Sequence, residues 1–310
     1  MDILLILSIA LVIDLALGEP PPAAHPVVWM GKVISFLKRG GIGRPPLVQF
    51  AYGSVMTLII IGVFTAPAYF VLTYLKGLSF AAYVIVGGIL LKSTFSLRQL
   101  RRAALEVKRL LLKEKLDEAR LEIRSLVSRN TRGLPKPLLV SATVESVAEN
   151  ACDSFVAPLF YFLLLGVPGA VAYRVVNTLD AVVGYHGEYE YLGKFASKLD
   201  DVLNFIPARL TALLLVLATF LFRRDAKTSW QVALSDHSKT ESPNAGWPMA
   251  ALAGALNVQL EKVEHYKLGR AGAPLIPETI DAALKLMLIA ALSWALVCFL
   301  VGGIYFVLTS

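Results

Sequence analysis

The sequence predicts an all-α, polytopic integral membrane protein with about 4–6 membrane helices, some of them broken or re-entrant, and with amphipathic cytoplasmic helices. Of its 310 residues, 56% are hydrophobic, whereas soluble domains average about 45–50%. Several apolar runs approach or exceed the roughly 20 residues that a membrane helix needs. The cysteines, Cys152 and Cys298, are too far apart in sequence to indicate a disulfide framework or a zinc site.

The positive charge is concentrated in one segment. Residues 98–136 hold twelve Lys/Arg and five Asp/Glu, so their net charge of +7 equals that of the whole chain. An excess of Lys and Arg marks cytoplasmic loops, which predicts a multi-pass protein of the cell membrane whose active site faces the cytoplasm. The segment has no aromatic residues to stack on bases, so no nucleic-acid partner is expected.

The first half of the chain predicts three apolar helices. Segment 3–17 is a short span or a half-inserted helix, retained because no basic residues precede it, and the prolines after Gly18 end it. Segments 47–75 and 78–97 are spanning helices. Lys92 lies near one end of the second, where it is expected to snorkel.

The basic segment and the region after it predict further helices. Apolar residues at helical spacing make 98–127 an amphipathic helix pair, and a second amphipathic helix follows at about 138–153. Segment 155–183 contains the break 166–169 (Gly-Val-Pro-Gly), so it is either one kinked span or a re-entrant hairpin. Segments 203–222 and 282–308 are also apolar.

We interpret 1–310 as a single membrane domain. Residues 98–153 are its basic amphipathic cytoplasmic helical insertion, and 223–281 form a second polar loop region. These two regions fall on the same side of the membrane if 155–183 and 203–222 both cross it, or if both are re-entrant.

A stripe of carboxylates is the strongest sign of chemistry. Glu145, Glu149 and Asp153 lie four residues apart, with Asn150 beside them, and on a helix this spacing forms one stripe. Like charges at this spacing repel, and a bound cation would reduce the repulsion between the three carboxylates. Hard oxygen ligands suit Mg²⁺, which takes one or two carboxylates together with substrate phosphates. The alternative is a solvated helix face.

A second polar group interrupts segment 155–183. One helical turn aligns Arg174, Asn177 and Asp180. Ionisable residues inside membrane segments are costly and usually functional. The group is therefore either part of a site or an internally neutralised Arg–Asp pair that stabilises a span.

A third group precedes and enters segment 203–222. Asp200 and Asp201 either favour the positive end of a helix that starts there or hold a metal ion. Arg209 offers a planar fork of donors that matches phosphate or carboxylate.

Two polar loops are candidates for seating an anion. Loop 236–248 concentrates hydroxyl, acidic and basic side chains among Pro and Gly, and is either a phosphate-binding loop or a generic polar loop. Stretch 128–133 is small and basic, and is either an anion seat or a turn at the lipid headgroups. The candidate anion-binding residues of the two loops are Lys239, Ser242, Asn244, Arg129, Asn130 and Thr131.

In order along the chain, these motifs resemble one family, the CobD/CbiB cobalamin-biosynthesis proteins or adenosylcobinamide-phosphate synthases. In two places the chain departs from the family, with Asn130 where relatives often have Asp and Glu241 where many have His. The matching stretches are Asp14–Pro20 with His25-Pro26-Val27, 128–131, 142–150, 157–160, 173–180, 200–209 and 241–248.

The resemblance implies an ATP-dependent carbon–nitrogen ligase. It would join adenosylcobyric acid to aminopropanol phosphate, or ethanolamine phosphate, and release adenosylcobinamide phosphate, ADP and phosphate. The implied partners are the corrinoid, the amino-alcohol phosphate, membrane lipid and a complex with other membrane enzymes of cobalamin assembly. The implied cofactors are ATP, as co-substrate, and Mg²⁺.

For such a reaction we assign three sets of residues. Asp180 or Glu241 is the base, and Glu145, Glu149 and Asp153 belong to the catalytic set. Mg²⁺ is assigned to Glu145, Glu149, Asp153, Asp200 and Asp201. The substrate- and phosphate-binding set is Arg129, Asn130, Thr131, Asn150, Asn177, Arg209, Lys239, Ser242 and Asn244.

Two other functions compete with this assignment. A Mg²⁺-dependent membrane prenyltransferase or phosphotransferase would also use acidic motifs, but the sequence lacks paired aspartate-rich repeats. A small-molecule transporter would show two related halves with paired broken helices, and no such repeat is visible. An assay of ATP consumption distinguishes the ligase from these two alternatives, because only the ligase would require both proposed substrates.

Overall fold

The computed structural model describes residues 1–127, 129–185, 187 and 189–309. Contacts divide the chain into two compact units. Unit 1 comprises Met1–Ser96, Ala157–Asn204 and Cys298–Ser310, and unit 2 comprises Leu97–Val156 and Phe205–Val297. The helices are α1 (Asp2–Ala16), α2 (Pro26–Leu37), α3 (Pro46–Leu78), α4 (Phe80–Lys92), α5 (Leu97–Leu112), α6 (Leu116–Glu122), α7 (Lys136–Ala151), α8 (Ala157–Val183), α9 (Lys194–Leu221), α10 (Ala226–Asp236), α11 (Gly246–Leu256) and α12 (Pro277–Thr309).

The prediction of an all-α, polytopic membrane protein is confirmed. In the described ranges, five helical stretches are long and apolar enough to cross a membrane. They are Pro46–Leu78, Phe80–Leu112, Lys136–Val183, Lys194–Leu221 and Pro277–Leu308. One small hairpin, β1 (Gln259–Lys262) with β2 (Tyr266–Gly269), interrupts the helical fold.

In unit 1 the short α1 packs against α4. A Cβ built on Gly88 of α4 would lie 2.5 Å from Ile9 Cγ2, so only glycine allows this approach. Ile6 and Leu7 of α1 are buried in the same core. The packing of α1 on α4 brings Asp14, near the end of α1, to Lys92 at the end of α4.

The chain turns back on itself at Gly166, inside the apolar segment that contains α8. Gly166 has φ 69° and ψ −165°, a conformation that glycine tolerates and other residues avoid. The rings of Tyr161 and Tyr173 stack with centroids 5.3 Å apart, whereas twelve residues of straight helix would separate them by about 18 Å. The predicted break is therefore confirmed, and the fold-back is that of a helical hairpin.

In unit 2 the basic segment forms the predicted amphipathic pair, α5 and α6. Leu100, Val107 and Leu111 of α5 are buried, while its arginines at 98, 101 and 102 are exposed. The prediction of a second amphipathic helix is wrong in one respect. Helix α7 is buried on every side from Leu139 to Ala148, because α5, α11 and β1 all pack on it.

The region 223–281 is more ordered than a polar loop. It contains α10, α11 and the hairpin, and α11 is apolar and wholly buried from Met249 to Leu256. With 11 residues, α11 is too short to be recognised as a span. In unit 2 this region meets the basic segment, since Lys108 Nζ lies 2.5 Å from Asp281 Oδ2.

Candidate functional site

A buried carboxylate organises the centre of unit 2. Glu145 of α7 is 4% exposed. Its Oε2 accepts hydrogen bonds from Arg129 Nη2 at 2.9 Å and from the Tyr266 hydroxyl at 2.8 Å. Its Oε1 accepts the Ser141 hydroxyl at 2.6 Å. With three donors on two oxygens, Glu145 holds Arg129 in place and is poorly suited to serve as a metal ligand.

The hairpin that supplies Tyr266 is absent from the sequence-based prediction. Its Glu261 N–H donates to Ser141 Oγ at 2.7 Å, and Arg129 Nη1 donates to the Glu261 carbonyl at 3.4 Å. The signal for it is a short alternation in which Leu260 and Leu268 point inward and are fully buried. Two four-residue strands are too short to stand out in a helical sequence.

Tyr266 remains a hydrogen-bond donor at physiological pH. Burial raises the pKa of its hydroxyl, and the charges of Glu145 and Glu149 raise it further, against a smaller opposing effect of Arg129. Glu149 therefore lies within electrostatic reach of the hydroxyl that Glu145 accepts.

The predicted carboxylate stripe does not continue as one straight α-helix. Helix α7 ends at Ala151, and residues Cys152–Val156 form a wide π-helical turn. Glu149 and Asp153 are half-buried, with Asp153 inside this turn. Asn150 donates to the Ser146 carbonyl at 3.0 Å and accepts the Ser154 hydroxyl at 3.1 Å. The extra residue in the turn shifts the i+8 position away from the line through Glu145 and Glu149.

Arg209 lies in the part of α9 that belongs to unit 2. Its Nη1 donates to the Phe205 carbonyl at 2.7 Å and to Asn244 Oδ1 at 3.4 Å. Its guanidinium carbon lies 3.6 Å from the Phe205 ring centroid and 5.0 Å from that of Trp247. Arg209, expected to bind phosphate or carboxylate, thus contacts the loop 236–248 through the buried Asn244.

The rest of that loop is internally bonded. Lys239 Nζ lies 2.7 Å from Asp236 Oδ1, and Asp236 also accepts the Gly269 N–H at 2.8 Å. Ser242 Oγ accepts the N–H groups of Asn244 and Ala245 at 3.2 and 3.3 Å. Lys239 and Ser242, predicted to bind an anion, are therefore already engaged in the loop's own structure.

Glu241 meets the hairpin. Its Oε1 lies 2.8 Å from His265 Nδ1 in an exposed pair. Because Tyr266 next to His265 bonds to Glu145, the hairpin connects the loop 236–248 with the centre of unit 2. The sequence gives no sign of this link, since 24 residues separate its partners.

The basic stretch 128–133 is only partly a surface turn. Ser128 lies outside the described residues. Thr131 is fully buried and donates to the Arg120 carbonyl at 2.7 Å. Asn130 is exposed, and its Oδ1 accepts the Arg132 N–H at 3.0 Å. Of the predicted anion-binding residues here, Arg129 faces the Glu145 network and Thr131 supports the fold.

Unit 1 holds the other predicted acidic residues. The sequence predicts that Asp200 and Asp201 precede a helix. In the structure they lie inside α9. Asp200 Oδ2 accepts the Asn204 side-chain amide at 3.0 Å, and Asp201 pairs with Lys198 at 3.0 Å. The other oxygen of Asp200 and Oδ1 of Asp180 are both buried and have no hydrogen-bond partner among the described residues.

The predicted alignment of Arg174 with Asn177 is present. Arg174 Nη1 donates to Asn177 Oδ1 at 3.2 Å, one helical turn away. Of the residues that the structure describes, no three or more His, Cys, Asp or Glu gather closely enough to hold a metal ion. The five carboxylates assigned to Mg²⁺ therefore do not form a preformed metal cage in the described part of the chain.

Unit 1 contains a buried charge cluster that the sequence pattern does not predict. Lys92 does not snorkel: it is 3% exposed, and its Nζ lies 3.2 Å from Asp14 Oδ1 and 2.7 Å from Glu19 Oε1. His25 Nε2 bonds to Glu19 Oε2 at 2.8 Å, while its Nδ1 accepts the Val27 N–H. These acids and His25 fall in motifs quoted above, but no sequence spacing relates them to Lys92.

Acid should destabilise the protein through Glu19. Burial raises its pKa, but hydrogen bonds from His25 and Lys92 outweigh burial and lower it to about 2. The ionised group therefore stabilises the fold above its unfolded-state pKa of about 4.5, and this contribution, about 3 kcal/mol, is lost as pH falls toward 2. Thermal unfolding in detergent at pH 6, 4 and 3 should show a shallower acid decline for Glu19→Gln than for Glu118→Gln, whose carboxylate is exposed. Equal declines would contradict the assignment.

Comparison with known proteins identifies the family. A family model described as CobD/Cbib protein matches residues 7–302. The "Cobalamin biosynthesis protein CobD" of Dehalococcoides mccartyi is 55% identical over 306 residues, which cover 99% of each chain. The "Probable cobalamin biosynthesis protein CobD" of Methanothermobacter thermautotrophicus is 43% identical over 282 residues, 91% of this chain and 92% of the relative. No solved structure matches. The chain therefore belongs to the CobD/CbiB family.

Proposed function

We propose that this membrane protein acts in cobalamin biosynthesis as an ATP-dependent amide synthase. It joins the free propionate carboxylate of adenosylcobyric acid to the amine of aminopropanol phosphate, or of ethanolamine phosphate, and yields adenosylcobinamide phosphate. Family membership supports the pathway, and the polar residues of unit 2 support the chemistry.

One observation carries the proposal. Unit 2 gathers three stretches that are far apart in sequence: the Arg129–Glu145 pair, Arg209, and the loop with Asn244 and Glu241. A ligase that handles two phosphorylated reactants and a carboxylate needs cationic donors near acids that manage protons and metal. Unit 2 contains both the cationic donors and the acids that such a ligase needs.

The reaction proceeds in two steps. A propionate oxygen attacks the γ-phosphorus of ATP, the bond to the β–γ bridging oxygen breaks, and ADP leaves. The amine nitrogen then attacks the acyl carbon, the carbon–oxygen bond to phosphate breaks, and phosphate leaves. The ammonium must lose a proton to become a nucleophile, and a carboxylate accepts it.

The chain's own residues divide this work. Arg209 and Arg129 hold reactant oxyanions, and Asn244 orients Arg209 through its 3.4 Å contact. Glu145 keeps Arg129 fixed. The proton acceptor is Glu241 or Asp180, and Glu241 is the stronger candidate because it shares a loop with Asn244 and a unit with Arg209.

Mg²⁺ fits the oxygen donors that are present. Asp180 and Asp200 each have one buried carboxyl oxygen without a hydrogen-bond partner in the described part of the chain. Glu149 and Asp153 are half-buried acids in unit 2. Either pair supplies the one or two carboxylates that Mg²⁺ takes beside substrate phosphates, and the ion would neutralise phosphate charge during transfer. The two oxygens of Glu145 accept three hydrogen bonds, so we assign Glu145 to the positioning of Arg129.

We propose that unit 2 faces the cytoplasm, because it contains the basic segment 98–136. Ser125→Cys places a thiol on an exposed residue of this segment, while both native cysteines are buried. In right-side-out vesicles, an impermeant maleimide should label this thiol only after the membrane is opened. Labelling of intact vesicles would overturn the orientation.

A complex with other membrane enzymes of the pathway predicts their co-purification from native membranes, and recovery of this chain alone would contradict it.

Replacing Arg209 by lysine should weaken reactant binding more than catalysis. Lysine keeps the charge but loses the planar fork and the stacking on Phe205. We expect the KM for ATP or for the amino-alcohol phosphate to rise about tenfold, a loss of about 1.4 kcal/mol. Arg224→Lys, on an exposed arginine outside the proposed site, is the control. Unchanged KM values for both reactants would exclude Arg209 from binding.

The function itself is tested with protein purified in detergent. ATP should be converted to ADP only when adenosylcobyric acid and the amino-alcohol phosphate are both present, with one amide formed per ADP. A prenyltransferase or phosphotransferase would not need the corrinoid, and a transporter would move a solute without forming an amide. ATP conversion that is independent of either substrate, or none at all, would refute the proposal.

A further inference from the structure

The half-buried Trp247 lies beside Arg209, and its buried indole N–H is unused. Trp247 Nε1 is inaccessible to solvent and has no hydrogen-bond partner among the described residues. Its ring stacks on His237 with centroids 3.9 Å apart, and the Arg209 guanidinium carbon lies 5.0 Å from its centroid. Resting on the function proposed above, we propose that Trp247 and Arg209 together bind an oxyanion, a phosphoryl or carboxylate group, of one reactant.

An unused buried N–H needs a reason. Leaving such a donor unsatisfied costs about 1–3 kcal/mol, and native structures pair nearly all of them. The Trp247 ring cannot easily rotate toward another acceptor, because the His237 ring stacks on it. The centroid of the Trp230 ring also lies 6.5 Å from that of Trp247. An acceptor brought by a ligand would satisfy this donor.

Arg209 presents the second half of the site. Among the described residues it forms no ion pair, and only its Nη1 donates, to Phe205 and Asn244. Its remaining N–H groups are thus available, and stacking on Phe205 at 3.6 Å fixes the plane of the guanidinium. A cation in a membrane helix without an acidic partner is costly, and an anionic ligand would remove that cost.

The charged side chains of the adjoining loop are engaged elsewhere. Asp236 pairs with Lys239, and Glu241 with His265. A guanidinium with a neutral N–H beside it matches the oxygens of phosphate and carboxylate and disfavours a metal cation. Three reactant groups share this chemistry: the phosphates of ATP, the phosphate of the amino alcohol and the propionate of the corrinoid.

The test removes the indole N–H and keeps an aromatic ring at position 247. Trp247→Phe retains an aromatic ring against His237 and removes the N–H, and Trp230→Phe is the matched control in the same cluster. Equilibrium binding to the full-length protein is measured separately for ATP, aminopropanol phosphate, adenosylcobyric acid and inorganic phosphate. We expect Trp247→Phe to weaken one of the three reactants about 10–100-fold, with Trp230→Phe close to wild type. The reactant affected identifies the oxyanion.

The binding results distinguish failure of the proposed oxyanion site from failure of the proposed amide synthase. Affinities of Trp247→Phe equal to wild type for every probe, or an equal loss in Trp230→Phe, would overturn the inference. If the wild type bound none of the three reactants but bound inorganic phosphate more tightly than Trp247→Phe, the proposed function would fail and the site would stand. Should Trp247→Phe not fold, Arg209→Gln serves instead, and it must weaken one probe selectively.

Discussion

Lys92→Met should destabilise the protein more than any other single change considered. Removing the ammonium leaves Asp14 and Glu19 close together in a buried site without their shared cation. Breaking a buried ion pair from one side typically costs about 3–5 kcal/mol, a large part of the stability of a folded domain. We expect a sharp loss of folded protein in detergent extracts, read by size-exclusion chromatography and by the temperature of thermal unfolding.

Lys76→Met provides the matched control. Lys76 also pairs with an aspartate, Asp2, at 3.4 Å, but its side chain is 61% exposed. Surface ion pairs contribute about 0–1 kcal/mol, so this variant should behave like the wild type. Equal unfolding temperatures for the two variants would show that the buried cluster does not stabilise unit 1.

Glu149→Gln and Asp153→Asn should each reduce turnover by at least about 100-fold while the protein still folds. Both carboxylates are half-buried in unit 2, and the charge of Glu149 reaches Tyr266 in the Glu145 network. The amide isosteres keep the shape but lose the charge that the proposed magnesium nucleotide would require. The measurement is amide formation by purified protein, with Glu118→Gln as an exposed control.

The Mg²⁺ dependence of these variants discriminates between the two candidate positions. If the ion lies at Glu149 or Asp153, their variants need more Mg²⁺ for half-maximal turnover, and Asp200→Asn does not. The reverse pattern assigns the ion to unit 1. Near-normal turnover by Glu149→Gln and Asp153→Asn would remove both residues from the site.

Much of the fold follows from local patterns that the sequence displays. Helix α3 is readable because a long apolar run needs no partner to identify it, and α5 because its leucines recur at helical spacing. The break at Gly166 is readable from glycine and proline. Whether the chain bends or doubles back there depends on the stacking of Tyr161 on Tyr173, which no local pattern encodes.

The site was only partly predictable, for the same reason. Arg129, Glu145, Arg209 and Asn244 could be named as polar residues beside apolar segments, but their partners are distant in sequence. Tyr266 reaches Glu145 across 121 residues. Lys92 is expected to snorkel because it lies near a helix end. Its burial depends on the packing of α1 against α4, which no local pattern shows.

We propose that this chain makes the amide by way of an acyl phosphate formed from ATP. The most direct measurement uses adenosylcobyric acid labelled with ¹⁸O in the free propionate carboxylate, together with ATP, Mg²⁺ and aminopropanol phosphate. We predict that one ¹⁸O atom appears in inorganic phosphate for each amide formed, because the oxygen that attacks phosphorus leaves with it. Amide formation with unlabelled phosphate would contradict the acyl phosphate, and the absence of any ATP-dependent amide would contradict the proposed amide synthase.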